Sequence, residues 1–259
     1  MYGRKIIERC RAVVDVSEKN LDIAVVGKRG DGKSYIACEL AYTLDPTFTA
    51  ERVVYSIEEF LKLVKVLPPG SAVVADEIGE WYSSRNFMKD ENKDLSAILQ
   101  IFRINRLIVI YTLPMMYQVD KNLRSMSDVY IRACRVHRGK KLTEGKWYDI
   151  EMHPIRGKKP YTIHPVIRGP DGYKKKITRV FFDKMPDDME ARYAEKKEEF
   201  NARVIDAKMS REKKEDKEEK EPNAKCENCG YRWRTIAMKP RCGKCDSSRV
   251  VVVKDSTNV

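Results

Sequence analysis

The sequence predicts an α/β protein: a mostly parallel central sheet, a basic β-hairpin extension, a helical linker and a small cysteine-bearing module toward the C-terminus. Three observations predict it. Short apolar runs alternate with amphipathic stretches as far as residue 136, the pattern of a parallel sheet covered by helices on both faces. Residues 132–179 are divided by Gly139, Gly145, Gly157, Gly169 and Gly172 into short β-prone pieces, which suit hairpins better than helices. Cys226, Cys229, Cys242 and Cys245 form two close pairs in a segment poor in apolar residues.

Residues 22–26 read as a strand that stops at Gly27, and 35–42 as the helix after it. A second strand, 53–55, precedes a helix capped by Ser56, with Glu59 as reciprocal partner and Phe60, Leu61 and Val64 on one buried face. Pro68, Pro69 and Gly70 break the chain before the strand 72–75. A polar stretch then leads to a helix over 95–104, apolar at positions 95, 98, 99 and 102, and to strands over 107–111 and 129–136. Between Pro186 and Pro222 there is no Gly or Pro, and charge of alternating sign fills 212–221. That stretch predicts an exposed helix running into a tether, fastened at its start by Met189, Tyr193, Phe200 and Val204. The expected domains are 1–185, including the basic hairpins over 132–179, then the charged helix and linker 186–222, then the cysteine module 223–259.

With 51 Lys/Arg against 39 Asp/Glu, the 259 residues carry a formal charge of +12, which points to a polyanionic partner, either nucleic acid or an acidic membrane face. Residues 132–179 alone hold 14 Lys/Arg and 4 Asp/Glu, so this segment is either a polyanion-facing surface or a solvated basic edge. No apolar stretch approaches the roughly 20 residues of a spanning helix; residues 107–117 are interrupted by Thr112 and Pro114. The charged start lacks the apolar block of a signal peptide, so a soluble, cytoplasmic protein without membrane insertion is expected. Cys10, Cys38 and Cys134 read as reduced, buried small hydrophobes.

Gly27, Lys28, Arg29, Gly30, Asp31, Gly32, Lys33 and Ser34 fill G-x-x-x-x-G-K-[ST] between a strand and a helix, the context of a phosphate-binding P-loop. Glycines let successive amides face phosphate oxygens, and the helix that begins near Tyr35 adds its positive end. Lys33 suits the β and γ phosphates of ATP, and the Ser34 hydroxyl suits Mg²⁺. Asp76 and Glu77 end the buried strand 72–75. On a strand neighbouring the P-loop strand they would be the metal-binding acid and the base that activates water; the alternative is a pair of helix-capping acids. Thr112, at the end of the strand 107–111, is expected either to touch the γ-phosphate or attacking water or to be a turn hydroxyl. Arg103 and Arg106 lie on the amino side of that strand, where they would reach a neighbouring subunit's nucleotide as an arginine finger or serve as surface cations at a helix end; Arg124 ranks below them.

The spacing of Cys226, Cys229, Cys242 and Cys245 predicts two metal knuckles, best suited to Zn²⁺, with an iron centre or a redox pair as alternatives. Tyr231, Trp233 and the basic residues around them suit either nucleic acid or protein docking.

The segments 27–34, 72–77 and 107–114 together resemble the additional-strand P-loop ATPases of the FtsK and HerA superfamily, most of all viral genome-packaging ATPases and Zot-like proteins. The resemblance spans roughly residues 20–136. It implies a Mg²⁺-dependent ATPase that assembles as a ring, with a hexamer favoured, and moves double-stranded DNA for a virus or mobile element; the resemblance, with the Lys/Glu-rich composition, implies an archaeal host. By the same resemblance Lys33 and Ser34 match the phosphate and metal ligands, and Asp76 and Glu77 the metal acid and base. The sensor position, commonly Gln or Asn in that superfamily, is Thr112 here. A zinc ribbon is not a general feature of the group; a capsid or other element-encoded protein is a candidate partner for it. Two other functions fit the same residues: a Zot-like nucleotide-dependent assembly protein, and a zinc-ribbon DNA-binding regulator.

Overall fold

The computed structural model describes residues 2–81, 105–118, 124, 127–152, 160–169, 172–220, 224–233 and 240–252. Met1–Lys196 form one compact unit and Lys197–Val259 a second. The predicted helix over 95–104, with Arg103, lies outside the described residues.

The first unit opens with a helix that the strand–helix alternation does not predict, α1 (Tyr2–Asp15). Ile6, Cys10 and Val14 recur at every fourth position and are buried, so the helix is held by one narrow apolar stripe. In chain order there follow β1 (Leu21–Val26), α2 (Lys33–Leu44), β2 (Val53–Val54), α3 (Ile57–Val64), β3 (Ala72–Ala75), α4 (Ile78–Trp81) and β4 (Ile108–Leu113). Next come β5 (Val129–His137), β6 (Leu142–Met152), β7 (Pro160–Ile163), β8 (Val166–Arg168), β9 (Lys174–Lys176), β10 (Arg179–Asp183) and α5 (Asp187–Lys220). At α3, Ser56 Oγ accepts the Glu59 N–H at 3.2 Å, as the capping signal requires. The reciprocal bond differs by one residue, since Glu59 Oε2 accepts from the Tyr55 N–H rather than from Ser56.

Strand order in the central sheet is β10-β6-β5-β1-β4-β3-β2, with β7 also paired to β6. The five strands β5, β1, β4, β3 and β2 run parallel, and β6, β7 and β10 add antiparallel pairings. Two features of this order bear on the site. First, β1 and β3 are not neighbours: β4 stands between them, pairing Val25 with Thr112 on one side and Ala75 with Tyr111 on the other. Second, part of the basic hairpin segment extends the sheet itself: β5 pairs directly with β1 and carries β6 and β10 as its continuation. Among the described residues, β8 and β9 form a separate two-stranded hairpin.

Both faces of β1, β3 and β4 are buried, and side-chain alternation divides them. Ala24, Val26, Val73, Ala75, Val109, Tyr111 and Leu113 pack with Phe60 and Val64 of α3. The alternate positions face α2, which buries Ile36, Ala37 and Leu40. Thr112 and Asp76 have the parity of this second face. Alternation alone therefore turns their side chains toward the helix that follows the P-loop.

Asp45 ties the end of α2 to the start of β3. Its Oδ2 accepts the Ala72 N–H at 2.9 Å and Arg52 Nη1 at 2.7 Å, while Oδ1 accepts the Thr47 N–H at 2.9 Å and hydroxyl at 2.7 Å. Burial pushes this carboxyl up, but the Ala72 and Thr47 bonds and the Arg52 charge outweigh burial and hold it below its ordinary value. Asp45→Ala should destabilise the fold by about 3 kcal/mol in urea melts at neutral pH, because it strands Arg52 and the Ala72 N–H. The unfolded carboxyl takes up a proton first as pH falls, so Asp45's contribution is complete above about pH 4 and is lost through the lower folded value. The gap between wild type and variant should accordingly narrow in melts at about pH 3.

In the second unit β11 (Ala224–Cys226) is flanked by β12 (Arg232–Trp233) and β13 (Val250–Val252) in a three-stranded antiparallel sheet. Among the described residues, no helix is long and apolar enough to cross a membrane.

Candidate functional site

The P-loop leaves the carboxyl end of β1 and enters α2 at Lys33. Its turn is closed by Asp31, whose Oδ2 accepts the Lys28 N–H at 2.8 Å. Gly30 and Gly32 take φ values of +89° and +87°. Glycine is required at 32 on two counts: the left-handed backbone, and the close approach of β5 and β6. A Cβ there would come within 2.7 Å of both Val136 Cγ2 and Thr143 Cγ2. Lys33 is buried, and its Nζ donates to the Lys28 carbonyl at 3.2 Å, so the ammonium already lies over the loop. Tyr35, one residue past Ser34, is exposed, and its hydroxyl donates to Glu190 Oε1 at 3.1 Å.

Asp76 follows β3 directly and is fully buried. Although β4 separates its strand from the P-loop strand, Ser34 Oγ donates to Asp76 Oδ1 at 2.9 Å. The first turn of α2 closes that gap by placing Ser34 over the strand ends. Thr112 donates to the same Oδ1 at 2.6 Å and accepts the Glu77 N–H at 2.9 Å. Its hydroxyl, fully buried and one residue beyond the predicted strand end at Tyr111, thus bridges the two acids. Glu77 itself is half-buried, with φ +53° in the left-handed region that costs a non-glycine residue about 1–2 kcal/mol.

Tyr193 of α5 completes the ring of donors around Asp76, its hydroxyl lying 3.0 Å from Oδ2. The sequence marks Tyr193 only as an apolar fastener of its helix. It stands 117 residues from Asp76, and no local spacing signals the bond. Arg106 lies at the other end of β4, with φ +52° and an exposed ion pair to Glu18 at 2.9 Å.

The donor set matches a magnesium–nucleotide site: a hydroxyl and a carboxylate in contact, a lysine over a glycine loop, and a helix amino end behind it. The β5–β6 turn exposes Arg138, Lys140 and Lys141. Arg168, Lys174, Lys175 and Lys176 are exposed on the β8–β9 hairpin.

In the second unit the sulfurs of Cys226, Cys229, Cys242 and Cys245 all lie within 4.8 Å of one another. The Cys226–Cys245 and Cys229–Cys242 sulfurs are 3.6 Å and 3.5 Å apart. Disulfide sulfurs would stand about 2.05 Å apart, whereas the edge of a tetrahedron with Zn–S bonds of about 2.3 Å is about 3.8 Å. Each pair sits in a tight turn: the Gly230 N–H donates to the Cys226 carbonyl and the Asp246 N–H to the Cys242 carbonyl. Gly230 and Asp246 take positive φ, which lets the chain fold back over the sulfurs. The Ser247 N–H, followed by Asn228, holds the Cys245 thiol below its ordinary value, while the neighbouring Cys229 thiol is raised. Tyr231 and Trp233 stack with ring centroids 5.7 Å apart. Of the other cysteines, Cys10 and Cys38 are buried as expected and Cys134 is half-buried.

No family model and no curated protein matches the chain. Among solved structures it is similar to the N-terminal domain of zonular occludens toxin from Neisseria meningitidis, at 13% identity and a TM-score of 0.36 over 56% of this chain and 93% of that one. It is also similar to a variant of RuvB from Thermotoga maritima, at 16% identity and a TM-score of 0.38 over 51% of this chain and 44% of that one. At such scores neither likeness bears on function.

Proposed function

We propose that the chain is an ATP-hydrolysing motor that acts on double-stranded DNA as a homo-oligomeric ring, with a genome-packaging or translocating role for a virus or mobile element. The observation that carries the catalytic half is the hydrogen-bonded chain from Ser34 through Asp76 and Thr112 to the Glu77 backbone. It joins the P-loop to the acidic strand end across an interposed strand, and that interposed β4 supports the additional-strand reading.

Amides of residues 28–34 would cradle the phosphates, and Lys33 would leave the Lys28 carbonyl to meet the β and γ oxygens. Ser34 and Asp76 would hold Mg²⁺, which when bound supplies charge neutralisation on the phosphate oxygens. Glu77 orients the attacking water and accepts its proton, and Thr112 keeps the two acids in register. Arg106, or Arg103 three residues earlier in the sequence, would serve the γ-phosphate of the adjacent subunit. Its present ion pair to exposed Glu18 is of the weak surface kind and is readily exchanged. The exposed lysines and arginines of the β5–β6 turn and the β8–β9 hairpin suit phosphate contacts that are salt-dependent and indifferent to sequence, as a motor needs. Zn²⁺ on the four cysteines would hold the small C-terminal sheet as a platform for DNA or an element-encoded protein such as a capsid component.

The test is the ATPase rate with and without double-stranded DNA, together with assembly mass. Ring-sized mass and DNA-stimulated hydrolysis are expected. Lys33→Ala should remove hydrolysis to background, at least about a hundredfold down, by deleting the charge that faces the transferred phosphoryl group. A monomer whose hydrolysis ignores DNA would instead favour the nucleotide-dependent assembly protein.

A further inference from the structure

The first turns of α5 are anchored beside β2. Arg192 Nη1 donates to Glu51 Oε1 at 2.9 Å, and Lys196 Nζ donates to the carbonyls of Glu51 and Val53. Between these surface anchors Tyr193 turns inward and is only 6% exposed. Phenylalanine would fill the same space, so packing accounts for the ring and not for the hydroxyl. That hydroxyl meets Asp76 Oδ2, whereas Ser34 and Thr112 both hold Oδ1. A phenol keeps its proton throughout the neutral range, so the Tyr193 hydroxyl is available as a donor there.

A carboxylate gripped on both oxygens has little rotational freedom left to lose when a cation arrives, and preorganisation of this kind appears as affinity. Ser34 and Thr112 hold one oxygen and Tyr193 holds the other, so the three donors together oppose rotation of the carboxylate.

We propose that Tyr193 is a positioning residue for the magnesium–nucleotide site, its hydroxyl fixing the Asp76 carboxylate in the orientation that meets the cation beside Ser34. The inference rests on the nucleotide-binding reading given above. It makes docking of residues 187–196 and metal binding at Asp76 reciprocal, since whatever the helix does for the cation, the cation does for the helix.

The experiment titrates Mg²⁺ into the full-length chain bound to a fluorescent ATP analogue. In Tyr193→Phe the Mg²⁺ concentration at half-saturation should rise roughly fivefold or more, while affinity for the analogue in EDTA stays at the wild-type value. An unchanged midpoint in Tyr193→Phe overturns the positioning role while leaving nucleotide binding intact. A wild-type chain that binds the analogue neither with Mg²⁺ nor in EDTA overturns the nucleotide reading, and the role of Tyr193 with it. If Tyr193→Phe does not fold, hydrogen exchange on the wild-type nucleotide complex decides: Mg²⁺ should change exchange at amides 190–196, and identical exchange there overturns the proposal.

Discussion

Glu77→Gln should reduce steady-state ATP hydrolysis by about a thousandfold while ATP remains bound. Glutamine has the size of glutamate and offers no site for the proton of an attacking water, so the substitution isolates the base from the geometry around it. That geometry should survive, because the backbone at 76–77 is itself held by hydrogen bonds of its N–H groups. The Glu77 N–H is accepted by Thr112 Oγ1, and the preceding Asp76 N–H is accepted by the Val54 carbonyl. Single-turnover hydrolysis and equilibrium binding of ATP, measured on the same preparation, separate the two effects. Ordinary turnover in Glu77→Gln would remove Glu77 from the role of base and leave Asp76, Ser34 and Lys33 as a binding site without its proton acceptor.

Removing metal from the four cysteines should unfold residues 224–252 altogether, a loss of about 10–16 kcal/mol of apparent binding free energy at neutral pH for a site of this class. The reason lies in how little else holds the segment. Among its described residues only Ala224, Cys226 and Cys242 are buried, and its three strands contribute only short ladders. Elemental analysis should find one zinc per chain, and Cys229→Ser should lose it. Trp233 fluorescence should shift toward that of an exposed indole as the metal leaves. Nucleotide binding should persist in Cys229→Ser, because every side chain assigned to the phosphate site belongs to Met1–Lys196. Retention of a folded 224–252 segment in the presence of a strong chelator would count against a structural metal.

The part of the site that was legible in the sequence is the part made by contiguous residues. The P-loop needs glycines, a lysine and a hydroxyl at set intervals along one turn, and those intervals are visible at 27–34 without knowing what lies opposite. The same holds for the two cysteine pairs, and for Ser56, whose cap depends on a residue three positions away. The helix α1 escaped because its apolar stripe is only one residue wide per turn and two of its three members, Cys10 and Val14, are not strong helix formers.

What the sequence determined by itself, then, is the chemistry of each local piece: a loop shaped for phosphate, a strand ending in two acids, four thiols spaced for one metal. Tertiary structure alone decided how the pieces meet. It placed β4 between β1 and β3, turned Thr112 into the bridge between Asp76 and Glu77, joined β5, β6 and β10 of the basic segment to the main sheet, and brought Tyr193 back to Asp76 from the far end of the first unit. These outcomes depend on strand order and on the return path of the chain. Hydrogen bonds between residues 36 and 117 positions apart leave no periodicity or spacing in the sequence, because their geometry is created only when the sheet has assembled.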